Sequence, residues 1–127
     1  MGQAVIHFEV AGKNAEKLQS FYSDLFDWDI DADNEMNYGI VGPGGQGGYK
    51  NAQGNGIAGG VGPAPEGSPG HVTFYVEVED VAAALEKAES LGATTVLPES
   101  SVMEGVVIGL FNDPEGHMVG VVKAQPA

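Results

Sequence analysis

Strict alternation over Gly70–Val78 limits what this chain can fold into more than any other feature. His71, Thr73, Tyr75 and Glu77 fall on one side; Val72, Phe74, Val76 and Val78 fall on the other. That period of two marks a strand with one apolar and one polar face. A helical pattern follows at once. The plan recurs over Ala4–Val10, where His7 and Glu9 oppose Ile6, Phe8 and Val10, again ahead of a helical pattern. The chain reads as two copies of one strand–helix unit whose polar strand faces look into a shared space.

The first strand covers 4–11. Asn14 suits a helix N-cap, with Glu16 in the favourable first turn, and Leu18, Phe21, Tyr22 and Leu25 recur at helical spacing. The helix ends near Phe26-Asp27. Trp28–Asp31 and Met36–Val41 read as short strands joined by a turn at Asp33-Asn34. Ten of the 20 glycines lie in 42–62, a loop of low intrinsic order, with Ile57–Val61 as a strand inside it. Gly54–Gly59 matches a G-x-G-x-x-G string, but no helix follows to offer its N-terminus to a phosphate.

Pro63–Pro69 reads as a linker. After the strand at 70–78, Asp80 caps a helix with Val81, Ala84, Leu85, Ala88 and Leu91 on one face, and Gly92 ends it. Strands at Thr94–Leu97, Val106–Phe111 and Met118–Val122 complete the unit, with a tight turn at Asn112–Gly116. Each half is strand, helix, three strands. The boundaries are about 3–62 for the first module, 63–69 for the linker and 70–124 for the second.

Charge and composition narrow the function. With 5 basic and 18 acidic residues the formal charge is −13. Nucleic acid and anionic membrane surfaces are therefore not expected as partners. Without cysteine there are no disulfides, thiolate nucleophiles or Cys-based metal sites. The N-terminus lacks a basic region followed by an apolar run, and no apolar stretch reaches membrane-spanning length, so a cytoplasmic location is the expectation.

Phe21-Tyr22-x-x-Leu25-Phe26-x-Trp28, Gly92 closing the second helix, and Asp113-Pro114-Glu115-Gly116 before the last strand resemble the vicinal oxygen chelate superfamily. That group includes glyoxalase I, extradiol dioxygenases, and bleomycin- and fosfomycin-resistance proteins. The resemblance covers nearly the whole chain. It implies an α+β fold of two βαβββ modules whose curled sheets form a cleft, and a likeness to homodimeric members. It also implies one divalent metal, held from the first and fourth strands of each module. His7 matches the first ligand position. The second falls in Ile57–Val61, which has no donor; the third falls on Thr73, not His71; the fourth falls on Gly120. The usual metal site is thus expected to be absent and no cofactor is expected. A divalent metal on His7, Glu9 and His71 remains conceivable, although His7 and Glu9 lie about 6.5–7 Å apart along their strand.

The ligand-binding candidates are His7, Glu9, His71, Thr73, Tyr75, Tyr38, Tyr49 and Gly120. Tyr38 and Tyr49 flank the glycine-rich segment and are placed to close over a guest. Each candidate also has a plainer role: strand-orienting hydrogen bonds for the histidines and Glu9, packing for the tyrosines. Two readings compete. One is a glyoxalase-like binding protein for a small apolar or aromatic molecule. The other is a lactoylglutathione lyase-like lyase or isomerase, using a divalent metal or a His7/Glu9 acid–base pair as its catalytic residues.

Overall fold

Asn14 and Asp80 start the two helices in the same way. Asn14 Oδ1 accepts from the Lys17 N–H at 3.0 Å, and Asp80 Oδ1 accepts from the Ala83 N–H at 3.0 Å. Each satisfies a backbone donor that a helix start leaves open. In the computed structural model, which describes residues 2–43, 47–103 and 105–125, these helices are α1 (Ala15–Phe26) and α2 (Val81–Ser90). The strands are β1 (Val5–Gly12), β2 (Ile30–Asp31), β3 (Gly39–Val41), β4 (Ala58–Pro63), β5 (Gly70–Val78), β6 (Thr94–Met103), β7 (Val106–Asn112) and β8 (Met118–Lys123). The fold is α+β, and chain order runs βαβββ twice.

Two compact units divide the chain inside β1 and β5: His7–Val72, and Met1–Ile6 with Thr73–Ala127. In the His7–Val72 unit the strand order is β2-β3-β4-β1, with β1 parallel to β4 and Glu9 opposite Gly60. Its core is Val10, Val41 and Val61, joined by Phe8, Leu18, Tyr22, Trp28 and Ile30. The Gln19 amide donates to Val61 O at 2.8 Å and Asn37 O at 3.0 Å, which ties α1 to the sheet. In the other unit the order is β5-β8-β7-β6, with Tyr75 opposite Gly120. Val78, Val81, Leu85 and Val121 form its core. A side chain at Gly109 would press on Leu85 and Val81, at 2.7 and 2.9 Å, so a glycine lets α2 settle onto β7.

Four expectations need correcting. The apolar face of β5 is not covered along its length: Val72 is 76% and Phe74 42% exposed, while Thr73 and Tyr75 are buried. Ten residues make α2 only about 15 Å long, and it packs at the Val78 end. On α1, Ala15, Leu18 and Tyr22 turn inward, but Phe21 and Leu25 are more than half exposed. Phe21 lies about 100° and Leu25 about 60° around the helix from Tyr22, both on the same side. Leu91, past the end of α2, is likewise exposed. The strand expected over Met36–Val41 shortens to Gly39–Val41, because Asn34 takes up the backbone before it. Asn34 Oδ1 accepts from Met36 N–H and Tyr38 N–H, and Asn34 Nδ2 donates to Tyr38 O.

Within the glycine-rich segment, Gly44, Gly45 and Gln46 lie outside the described residues. The remainder turns back on itself at Asn51, whose side chain accepts from the Gln53 and Asn55 N–H groups. The turn before β8 forms as expected, with Asp113 accepting from the Glu115 and His117 N–H groups. No helix among the described residues is long and apolar enough to cross a membrane.

Candidate functional site

Alternation along β1 puts His7 and Glu9 on one face, with Phe8 turned to the core on the other. Phe8 meets Trp28 at a tilt, with 5.5 Å between ring centroids, and lies over Gly59. On the polar side, the Asn34 loop delivers Tyr38 to β1. The Tyr38 ring lies flat on β4, where a Cβ at Gly60 would overlap it. The phenol then reaches both polar residues of β1.

The result is one chain of four side chains in the His7–Val72 unit. Tyr38 OH donates to Glu9 Oε1 at 3.1 Å. A phenol has a single proton, so His7 Nε2 carries its own and donates to the Tyr38 oxygen at 2.8 Å. His71 Nε2 donates to Glu9 Oε2 at 2.6 Å, with the two side chains only 15% and 13% exposed. Both Glu9 oxygens therefore accept. The His7 and Tyr38 rings run nearly parallel, 6.2 Å apart with a 20° interplanar angle. Burial holds His7 below its ordinary imidazole pKa of 6.5, and the charge of Glu9 offsets this only in part.

His7, Glu9, His71 and Tyr38 thus meet. Tyr49 does not join them; its hydroxyl accepts from the Asp29 N–H at 2.9 Å. Thr73, Tyr75 and Gly120 belong to the other unit. There the Thr73 hydroxyl donates to Met118 O, and the Tyr75 ring covers Gly120. His117 sits on its turn, 74% exposed, against Asp113. The open depressions along α1 at Gln19, Ser23 and Ile30 and around Lys13 and Pro65 are lined by none of the four.

The metal implied by the resemblance does not fit this donor set. His7 is bound to Tyr38, β4 offers Ala58-Gly59-Gly60-Val61 with no donor side chain, Thr73 is committed to a carbonyl, and Gly120 lies under a ring. Among the described residues no group of three or more His, Cys, Asp or Glu is placed to hold an ion. Two features escaped the sequence reading. Asn34 organises the Tyr38 loop, and Gly60 with Gly62 make room for the ring. The Asn34–Asn37 turn residues and the glycines opposite Tyr38 were visible, but not their pairing.

Comparison with known proteins gives a consistent neighbourhood. A family model described as a glyoxalase-like domain matches residues 7–122. A protein named "Putative glyoxylase CFP32" from Mycobacterium bovis is 33% identical over 111 residues, which cover 84% of this chain and 40% of that protein. The chain therefore spans two fifths of the length of this curated relative. Among solved structures, Streptomyces coelicolor methylmalonyl-CoA epimerase aligns with a TM-score of 0.63 and 14% identity, covering 98% of this chain and 99% of that one. A glyoxalase/bleomycin resistance protein/dioxygenase superfamily member from Vibrio splendidus aligns with a TM-score of 0.59 and 14% identity, covering 97% and 100%. At such identities the two structures speak for the fold alone.

Proposed function

The chain belongs to the glyoxalase-like family, of vicinal oxygen chelate fold, and on that premise we propose that it binds a small, mostly apolar or aromatic molecule at the His7–Tyr38–Glu9–His71 cluster without a resident metal. The observation that carries this reading is the hydrogen-bonded chain itself. It joins four polar groups in one half-buried patch beside two nearly parallel rings. A few fixed polar groups against ring faces are the usual make-up of a small-molecule site. Parallel rings favour a planar guest, stacked with an offset. The negative charge of the chain favours a neutral or cationic one.

The reading is tested by thermal melts in the presence of neutral aromatic compounds. A binder raises Tm by mass action. The rise should vanish in Glu9→Gln and Tyr38→Phe variants that melt cooperatively on their own. A rise that persists in both variants removes the cluster from the binding site.

A second reading is favoured by the convergence of donors on Glu9, whose carboxylate can take a proton relayed from His7 through Tyr38 or directly from His71. In that case the protein is a lyase or isomerase of glyoxalase type, in keeping with the names of its relatives, and His7 and Glu9 work as acid and base. His7→Ala should then abolish turnover while leaving substrate binding largely intact. Survival of turnover excludes it. We also propose that the chain forms a homodimer, for which Phe21, Leu25 and Phe26 on α1, each more than half exposed, offer apolar surface to bury.

A further inference from the structure

Among the described residues the His71 side chain makes a single hydrogen bond, from Nε2 to Glu9 Oε2 at 2.6 Å. A carboxylate only accepts, so the proton of that contact sits on Nε2. A neutral imidazole has one ring proton, and Nδ1 then carries a bare lone pair. Glu9 is itself held in place. Its other oxygen accepts from the Tyr38 hydroxyl at 3.1 Å. The Tyr38 ring is seated on Gly60 and Gly62, and Asn34 bonds its backbone on both sides, at 3.0 and 2.7 Å. The groups that fix the phenol thus fix the tautomer of His71 as well.

Nδ1 is left over, and it is reachable. The His71 side chain is 15% exposed, and among the described residues no side-chain nitrogen or oxygen is both sealed from solvent and without a partner. The other polar groups of the cluster are turned on one another: the His7 Nε2–H on Tyr38, the phenol proton on Glu9, both carboxylate oxygens on donors. We propose that His71 Nδ1 is the acceptor by which the cluster recognises its ligand, and that the ligand is a neutral planar aromatic compound carrying an N–H or O–H donor, of the phenol or indole class. This deepens the binding reading above and rests on it. The carboxylate behind Nε2 polarises the ring and strengthens Nδ1 as an acceptor. A guest lying on the cluster strips water from that nitrogen. A guest with a donor replaces the lost bond; one without leaves the lone pair unpaired and binds more weakly.

The experiment compares two pairs of compounds matched in shape, phenol with toluene and indole with benzofuran, on the full chain at pH 8.5, above the ordinary imidazole range. Binding is read by calorimetry and by the ring nitrogen resonances of His71. The free chain should show Nε2 protonated and Nδ1 bare. Phenol and indole should bind at least about fivefold tighter than their partners, although transfer out of water favours the compounds without a donor, and they should move the Nδ1 resonance. In His71→Ala the preference should disappear. A free-chain Nδ1 that carries a proton overturns the proposal. So does a donor compound that binds no tighter than its partner, or a preference that persists in a folded His71→Ala chain; the binding reading survives all three results. If no compound of either kind binds, that reading fails and this inference fails with it. If His71→Ala does not fold, the native tautomer and the two pairs decide.

Discussion

His7 carries the pH signature of the cluster. Burial lowers its pKa below 6.5, and Glu9 raises it back only partly. The folded state thus favours the neutral ring, whereas the unfolded chain takes up a proton near the ordinary value. Between the folded pKa and 6.5 the unfolded state binds more protons, so stability falls as the pH drops through that window and levels off below it. Urea midpoints measured from pH 7.5 down to 5 should decline, and the part of the decline due to His7 should vanish in His7→Gln. An NMR midpoint for His7 at or above 6.5 contradicts the assignment. Tyr38→Phe leaves His7 and Glu9 without their shared partner and should cost about 1–3 kcal/mol in urea unfolding. At this scale half of the site was legible. Alternation alone put His7 and Glu9 on one face. The Glu9–His71 contact spans 62 residues and depends on a register that no local pattern encodes. Tyr38 stood among the candidates, but its bonds to His7 and Glu9 were not legible, because the Asn34 carboxamide, not a strand ladder, sets its backbone.

Elements were easier to read than contacts. Both caps, both helices and the Asp113 turn follow from side chains that bond their own neighbourhood, so sequence proximity suffices to find them. Burial was harder, because which stripe of α1 turns inward depends on what it meets. Phe21 and Leu25 have the hydrophobicity of core residues but not their place. Phe21→Gln should therefore change stability by less than about 0.5 kcal/mol. Leu85→Ala, which empties a site beneath α2 that is only 5% exposed, should cost about 2–5 kcal/mol. Both are read from the same urea series. Gly60→Ala should be costly despite its small size, by about 1–3 kcal/mol, since its methyl takes the place of the Tyr38 ring.

For the molecule as a whole, the duplicated order of elements was legible because each half repeats the same switch from a period of two to a helical period. What a chain of this family does was less so, because the fold hosts many chemistries and the site decides among them. Here the family's metal positions hold a histidine tied to a phenol, a strand without donors, a threonine bonded to a carbonyl, and a glycine under a ring. The most direct test of a ligand site at the cluster uses the three histidines as reporters. Ring resonances are followed while a library of small aromatic compounds is added. The account predicts that binders shift His7 and His71 together and leave His117, exposed on its turn, unmoved. Binders that leave His7 and His71 where they were would contradict it.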